Sequence, residues 1–433
     1  MMDRKRFEQY QDMMSRIYPE YEDGAFSLTF QVTDKCNLAC TYCYQQNKGT
    51  RRMKFEDAKE LIDKILDRDE SIVGYMDPAN APSVILEFIG GEPFLEIELM
   101  DQITEYYKNV AYLKNPMWAM NYCISISSNG MLYFEPKVQE YLAKNINHVS
   151  LSITLDGNKD LHDACRVTVS GEPTYDKVLA ACMDWKSKHE CPGSKITIAP
   201  GNVAYVFDAI KNILDLGYEE INANVVYEEG WTVEHAKIFY EQLKKVSDYI
   251  LDNGYEEEYV SLFEEGFFRP KKETELENWC GGDGHMLAMD PDGDLYPCIR
   301  YMKSSLGEEI EEYKIGTLKE GIGKCQVCKD RITCLKNIDR RTQSTDECFN
   351  CPIAEGCSWC TAYNYQVNGT PDSRCTYICV MHKARALANV YYWNKAYRKF
   401  DEDKRFKMHC PKEWALDIIS EEEYEMLMKL SLK

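Results

Sequence analysis

From residue 26 to about 253 the chain alternates short runs rich in β-branched and aromatic residues with longer stretches whose apolar residues recur at helical spacing. This alternation constrains the fold most, because strands separated by helices pair in parallel through right-handed crossovers. Strands are predicted at 26–33, 83–89, 120–127, 148–155, 194–199 and 218–226, and helices at 54–67, 95–112, 135–145, 174–190, 203–216 and 232–253. The pattern implies an α/β fold, an open, TIM-like (β/α)6 partial barrel whose chemistry sits on the loops that follow the strands. Tyr122, Ile124 and Ile126 alternate along the third strand and are predicted to be core.

At 433 residues the chain has room for two or three cores. The expected segments are a helical N-terminal extension (1–25), the barrel (26–253), a cysteine-rich domain (254–380) and C-terminal helices (381–433). Net charge is −21, from 72 acidic and 51 basic residues, with acidic pairs such as Glu219-Glu220 and Glu228-Glu229. Such a field repels phosphate backbones, disfavours a nucleic-acid substrate and favours a cationic peptide. No apolar run reaches membrane-spanning length, and the N-terminus lacks the apolar core of a signal peptide, so a cytoplasmic protein is expected. Nineteen cysteines without an export signal argue for metal or redox chemistry rather than a disulfide framework. Fourteen of them fall within 36–43 and 280–379.

Cys36, Cys40 and Cys43 stand in TDKCNLACTYCYQ as Cys-x3-Cys-x2-Cys, with Tyr42 just before the last. They follow the first predicted strand and so lie on a loop leaving a strand end. Three thiolates on one short loop can hold one inorganic centre and leave one position open. A tetrahedral zinc wants a fourth ligand nearby, and the first histidine of the chain is the distant His148. A [4Fe–4S] cube held by three cysteines instead exposes one iron to an outside ligand. The motif resembles that of the radical S-adenosylmethionine (SAM) superfamily. That resemblance implies a unique iron that chelates SAM and an electron that cleaves it to a 5′-deoxyadenosyl radical.

Three further loops follow predicted strands. In Gly90-Gly91-Glu92-Pro93 two glycines allow close backbone approach to a ligand, and Glu92 can accept a hydrogen bond from an ammonium group. This tetrapeptide resembles the superfamily's loop for the SAM amino group. Ser127-Ser128-Asn129-Gly130 resembles the Thr-Asn-Gly turn of related enzymes, and a plain Asn-Gly turn has the same residues. The run LDGNKDLHDACR, residues 155–166, resembles the Ser-x-Asp-Gly…His-Asp…Arg run of members that carry a further cluster domain. The resemblance offers Arg166 as a bidentate clamp for the SAM carboxylate, with Ser152 or Thr154 as hydroxyl partners and Tyr42 as a further contact. His162 and Asp163 are read as capping the following loop. Asn222 and Asn224 either face the barrel mouth or end the sixth strand. No residue is read as the catalytic acid or base.

In the last third, Cys280 and Cys298 flank Asp290-Pro-Asp-Gly293, a turn between two alternating strands, so a hairpin brings both cysteines towards one site. Beyond lie Cys348-x2-Cys351-x5-Cys357-x2-Cys360 and Cys375. Together these resemble the seven-cysteine SPASM domain with two auxiliary [4Fe–4S] clusters. The resemblance implies Cys280, Cys298 and Cys360 for the first cluster, and Cys348, Cys351, Cys357 and Cys375 for the second. The gap before Cys360 is two residues, where the family more often has three. Cys325-x2-Cys328-x5-Cys334 repeats the spacing of Cys348, Cys351 and Cys357. Those three complete the first auxiliary cluster, form another metal site, or are free thiols. Spacing assigns no role to Cys379, and Cys123, Cys165, Cys182, Cys191 and Cys410 read as small apolar or incidental thiols.

The resemblance spans about residues 26–380 and implies three [4Fe–4S] clusters, SAM and a low-potential electron donor such as flavodoxin or ferredoxin. It also implies a peptide substrate. The overall look, including Cys-Ser-Trp-Cys-Thr-Ala-Tyr-Asn-Tyr at 357–365, is similar to maturases that form thioethers in ribosomally made, Cys-containing precursor peptides. A carbon–carbon crosslinking maturase shares these motifs. An anaerobic sulfatase maturase, which makes formylglycine, usually has Asp after the second hairpin cysteine, where this chain has Ile299 and then Arg300. An electron-transfer or scaffold protein would not need the open triad. Only 25 residues precede the first strand, too few for a leader-binding module, so the leader is expected on the barrel rim, the C-terminal helices or a separate protein. The helices at 381–400 and 420–433 are read as packing on the core.

Overall fold

The structure, a computed structural model, describes residues 4–21, 23–189, 193–228, 230–278 and 280–432. Cys191 lies outside the described residues. All six predicted barrel strands form: β1 (Phe26–Thr33), β2 (Val84–Gly90), β3 (Tyr122–Ser128), β4 (Val149–Ile153), β5 (Ser194–Ile198) and β6 (Glu220–Val225). They are followed by β7 (Tyr259–Val260), β8 (Met286–Met289), β9 (Asp294–Tyr296), β10 (Gly316–Thr317) and β11 (Gly321–Ile322). Helices occupy Phe55–Leu66, Ile97–Lys114, Pro136–Lys144, Tyr175–Lys188, Val206–Asp215 and Val233–Asn253, within a few residues of their predicted bounds. The first buries Ala58, Leu61, Ile62 and Ile65, one stripe at three- and four-residue spacing. The last starts with a capping box between Thr232 and His235 and stops at Gly254, whose φ of 78° closes the helix in the left-handed region.

The chain forms two compact units: Met1–Thr154 with Arg166–Asp184 and Trp279–Ile338, and Leu155–Cys165 with Trp185–Asn278 and Asp339–Lys433. They are interleaved along the sequence, whereas composition alone set consecutive segments.

The first unit holds an eight-stranded sheet in the order β11-β10-β9-β8-β1-β2-β3-β4. β1 pairs in parallel with β2 on one side and with β8 on the other, where Ser27 opposes Met286 and Phe30 opposes Met289. The hairpin β8–β9 therefore extends the barrel sheet. Every residue of β1 is buried. One face is apolar, with Phe30 stacked on Phe88 at a centroid distance of 5.8 Å, and Tyr122, Ile124 and Ile126 are buried as predicted. The opposite face is polar: the register lines up Thr29, Glu87, Ser125 and Ser150 across four strands.

The second unit holds the parallel sheet β5-β6-β7. Among the described residues no pairing joins β4 to β5, so the six barrel strands divide between two sheets. β4 is only five residues long, and the chain leaves it through Gly157, at φ 76°, and a short helix, Lys159–Cys165. Helix Cys379–Lys399 packs on Val233–Asn253; Lys395 Nζ and the Tyr391 hydroxyl donate to Asp248 Oδ1 at 2.6 and 2.9 Å. Met381, Ala384 and Leu387 are buried, the core role expected of this helix.

Candidate active site

The C-terminal ends of β1, β2 and β3 are joined by hydrogen bonds. Gly91 N–H donates to the Thr33 carbonyl at 3.0 Å and Glu92 N–H to the Lys35 carbonyl at 2.9 Å, which holds the Gly-Gly loop along the segment entering Cys36. The glycines are needed for that approach: a Cβ on Gly90 would lie 2.7 Å from the Thr33 carbonyl oxygen, and one on Gly91 would collide with the Lys35 carbonyl. Their freedom thus serves a contact between two loops of the chain. Glu92 is 1% exposed, and both carboxylate oxygens are engaged. Oε1 accepts from Ser128 Oγ at 2.8 Å and Phe94 N–H at 3.1 Å, and Oε2 from Asn129 N–H at 2.8 Å. Burial pushes this carboxyl up, against those hydrogen bonds and the charge of Arg166. Glu92 therefore braces β2 against β3, and Pro93 starts the short helix behind it.

Cys36, Cys40 and Cys43 are half-buried on the loop after β1. Burial raises the thiols of Cys36 and Cys40. Cys36 is opposed by the Leu38 N–H, which donates to its sulfur at 3.4 Å, and by Lys48. Cys40 is opposed by Arg166 and Lys48. Cys43 repels charge on both, which places the three sulfurs within electrostatic reach of one another. Asn129 Nδ2 donates to Asn37 Oδ1 at 2.7 Å and lies 3.9 Å from Cys36 Sγ, while Asn129 Oδ1 closes its own turn by accepting from Met131 N–H at 3.0 Å. The Asn-Gly segment is thus a turn whose amide also reaches the cysteine loop.

Arg166 is 6% exposed, within reach of both Cys40 and Glu92. The Ala39 N–H donates to the Val167 carbonyl at 2.9 Å, which fastens the segment after Arg166 to the cysteine loop. Thr154 donates through its N–H to the Ser128 carbonyl at 3.2 Å, and Ser152 pairs in register with Ser127. His162 is buried, and its Nδ1 accepts from the Asp156 N–H at 3.2 Å, which ties it to the loop before its helix. In the second unit, Asn222 is buried and donates to Glu220 Oε1 at 3.0 Å, and Asn224 is exposed.

Sequence patterns did not single out the polar interior of the sheet. Thr29 Oγ1 donates to Glu87 Oε2 at 2.7 Å, with both residues buried. The Tyr44 ring carries the Arg300 guanidinium 5.0 Å from its centroid. Burial raises the Tyr44 hydroxyl, helped by Cys43, Glu87 and Cys298, so these groups share one neighbourhood. The available signal was the alternation of Ser27, Thr29 and Gln31 in a strand otherwise apolar enough to be buried on both faces.

The hairpin cysteines converge. Burial raises the Tyr75 hydroxyl, with Asp283, Cys298 and Cys280 adding to the effect. Tyr75 itself donates to the Gly282 carbonyl at 3.0 Å and the Met286 carbonyl at 3.2 Å. Cys325 and Cys328 are joined as a disulfide across the start of helix Gln326–Lys336, which also carries Cys334. These two are therefore not free thiols. In the second unit Cys348 lies on helix Asp346–Phe349, Cys351 and Cys357 follow it, and Cys360 precedes helix Thr361–Asn368.

Among the described residues no three His, Cys, Asp or Glu side chains meet at a point fit for one metal ion. A four-iron cube takes each cysteine through a different iron, so its ligands need only surround a volume. The half-buried triad, with Lys48 and Arg166 beside it to offset thiolate charge, fits such a cluster better than a lone zinc.

Residues 30–243 match the Radical SAM superfamily model. The chain is similar to the radical SAM cyclopropyl synthase TigE of Paramaledivibacter caminithermalis, 25% identical over 379 residues that cover 81% of this chain and 71% of TigE. It is also similar to the serine-type anaerobic sulfatase-maturating enzyme of Bacteroides thetaiotaomicron, at 21% over 332 residues, or 71% and 75% of the two chains. Among solved structures, native anSMEcpe with bound AdoMet and Kp18Cys peptide matches with a TM-score of 0.61 and 17% identity, covering 87% of this chain and 98% of that one. That likeness concerns the fold: an α/β partial barrel followed by a C-terminal domain. Residues 30–243, with the three-thiol loop after their first strand, are thus similar to the radical SAM superfamily.

Proposed function

We propose that this enzyme reductively cleaves SAM and uses the resulting radical to form thioether crosslinks in a ribosomally made, Cys-containing precursor peptide. The observation that carries the radical step is the gathering of Cys36, Cys40, Glu92, Asn129 and Arg166 within mutual reach at the ends of β1–β3. The triad would hold a [4Fe–4S] cluster, which with SAM supplies a 5′-deoxyadenosyl radical able to take one hydrogen from a substrate carbon. Arg166 is buried, cationic and suited to a carboxylate. Ser128, Asn129, Ser152, Thr154, Tyr42 and the Gly90–Pro93 loop would complete the SAM contacts. Bonding the substrate sulfur to the carbon radical releases the thiol proton and one electron. Two auxiliary clusters would accept that electron, and a flavodoxin or ferredoxin would supply the one that cleaves SAM.

A peptide substrate is supported by the likeness to TigE and to a sulfatase-maturating enzyme. Formylglycine chemistry is disfavoured because the residue after Cys298 is Ile299, apolar and 4% exposed, where that class usually carries an acid. A second reading, carbon–carbon bond formation, is favoured by the match to a cyclopropyl synthase over 81% of this chain.

The test is anaerobic incubation with SAM, a low-potential reductant and a Cys-containing precursor from the gene neighbourhood. A thioether removes two hydrogens and makes one thiol per event unavailable to alkylation. Full thiol reactivity in a product two hydrogens lighter would overturn the thioether and support the carbon–carbon reading. Loss of sulfur would indicate formylglycine.

A further inference from the structure

We infer that Glu87 is the general base of the crosslinking step, and that its carboxylate takes the proton from the substrate cysteine whose sulfur bonds to the carbon radical. The inference rests on the thioether reading above and deepens it by naming the group that receives the thiol proton.

The polar face of the eight-stranded sheet carries one row in register: Ala288 on β8, Thr29 on β1, Glu87 on β2, Ser125 on β3 and Ser150 on β4. Glu87 is the one member of that row that ionises. Side chains two positions apart on a strand share a face, so the next row, with Ser127 opposite Ser152, lies about 7 Å nearer the strand ends. Ser152 is among the proposed SAM contacts, which sets the Glu87 carboxylate on the sheet surface just below the place where the radical would form. The titratable and charged neighbours outside the row are Tyr44 of the cysteine loop, within electrostatic reach of Glu87, and Arg300, whose guanidinium lies 5.0 Å from the Tyr44 ring centroid.

Hydrogen bonding separates Glu87 from the other buried carboxylate of this strand and its loop. Glu87 is 5% exposed, and among the described residues its hydrogen bond is the 2.7 Å donation from Thr29 Oγ1 to Oε2. Glu92 receives three, from Ser128 Oγ and from the N–H groups of Phe94 and Asn129. A buried carboxylate is costly unless donors satisfy both oxygens, so three donors account for Glu92 as a brace, whereas one neutral donor does not account for Glu87. Thr29 anchors one oxygen and leaves Oε1 to a donor from outside the chain. A substrate S–H is such a donor.

Once the 5′-deoxyadenosyl radical has taken a hydrogen atom from the substrate carbon, that carbon holds one unpaired electron and the cysteine still holds its proton. Transfer of the proton to Oε1 leaves a thiolate, whose electron pair and the carbon's unpaired electron form the C–S bond. The surplus electron passes to an auxiliary [4Fe–4S] cluster, the oxidant of the step. A cysteine thiol ionises near pH 8.5, so only a small fraction is thiolate at about pH 7. A positioned base at that point contributes roughly 100-fold to 10,000-fold.

The experiment compares full-length, reconstituted wild type and Glu87→Gln acting on the Cys-containing precursor. Wild type alone tests the underlying reading: full thiol reactivity in its product sinks the thioether, and this role of Glu87 with it, before any variant is compared. With a wild-type thioether in hand, Glu87→Gln is expected to keep its iron, its SAM affinity and 5′-deoxyadenosine formation, while thioether formation falls roughly 100-fold or more at about pH 7. The deficit should shrink towards about pH 9, where the substrate thiol ionises unaided. A wild-type rate at neutral pH overturns the proposal. So does a deficit that stays constant with pH, or loss of iron or SAM affinity from the folded variant, since each marks a structural role. Should Glu87→Gln fail to fold, Glu87→Asp withdraws the carboxylate by one methylene and is expected to lower thioether formation about tenfold or more with iron unchanged. An undiminished rate in that variant refutes the placement of Glu87 at the thiol.

Discussion

Nη1 of Arg166 donates to the Tyr42 hydroxyl at 2.8 Å, across 124 positions of sequence. The contact fixes the cation beside the residue that precedes Cys43, so the proposed carboxylate clamp and the cluster loop are held as one piece. Arg166 is held again at its backbone, where the carbonyl accepts from Thr174 Oγ1 at 2.6 Å. With its position set before any ligand arrives, Arg166 loses little freedom on binding.

Replacing Arg166 by Ala is therefore expected to weaken SAM binding by about tenfold or more, equivalent to roughly 1.5–3 kcal/mol, with iron content unchanged. Tyr42→Phe removes only the orienting bond and should cost less. Equilibrium binding of SAM to the reconstituted variants measures both. Wild-type affinity in Arg166→Ala would move the carboxylate site elsewhere.

Simultaneous replacement of Cys36, Cys40 and Cys43 by Ala is expected to remove about four irons and all 5′-deoxyadenosine formation, leaving the other clusters in place. Iron analysis and chromatography of the cleavage products provide the check. Continued formation of 5′-deoxyadenosine in this variant would mean that the open cluster lies on other residues.

His285 predicts a pH dependence of stability. Its ring nitrogens pair with Asp23 Oδ1 at 2.8 Å and Asp283 Oδ1 at 2.7 Å, and these hydrogen bonds raise its pKa from 6.5 to about 10. Because the folded value lies above the unfolded one, the stabilisation is complete below about pH 6.5 and is lost as pH rises towards 10. The ring is 41% exposed, so added salt should weaken the effect. Urea midpoints from pH 6 to 10 should fall more steeply for wild type than for His285→Gln. Parallel curves would show that the pairs contribute nothing.

Features set by neighbours in sequence were legible before folding. Residues 26–33 alternate apolar and polar side chains and include the β-branched Thr29, Val32 and Thr33, and β1 has those bounds. The apolar spacing of 54–67 marks the helix found at Phe55–Leu66. Cys-x3-Cys-x2-Cys needs only one loop to bring its sulfurs together, and the Asp290-Pro-Asp-Gly293 turn suffices to fold β8 onto β9. Each of these outcomes depends on local backbone preference and side-chain period, which the order of residues carries directly.

Tertiary structure decided what depends on contacts distant in sequence. Pairing of Ser27 with Met286 makes β8 a neighbour of β1, although more than 250 positions separate them. Glu92 reads as a ligand contact in its tetrapeptide, yet Ser128 and Asn129 come from another strand to engage its carboxylate. Spacing limits how far apart two residues can be, whereas the direction of a side chain is set by whatever packs against it, and those partners arrive from elsewhere in the chain.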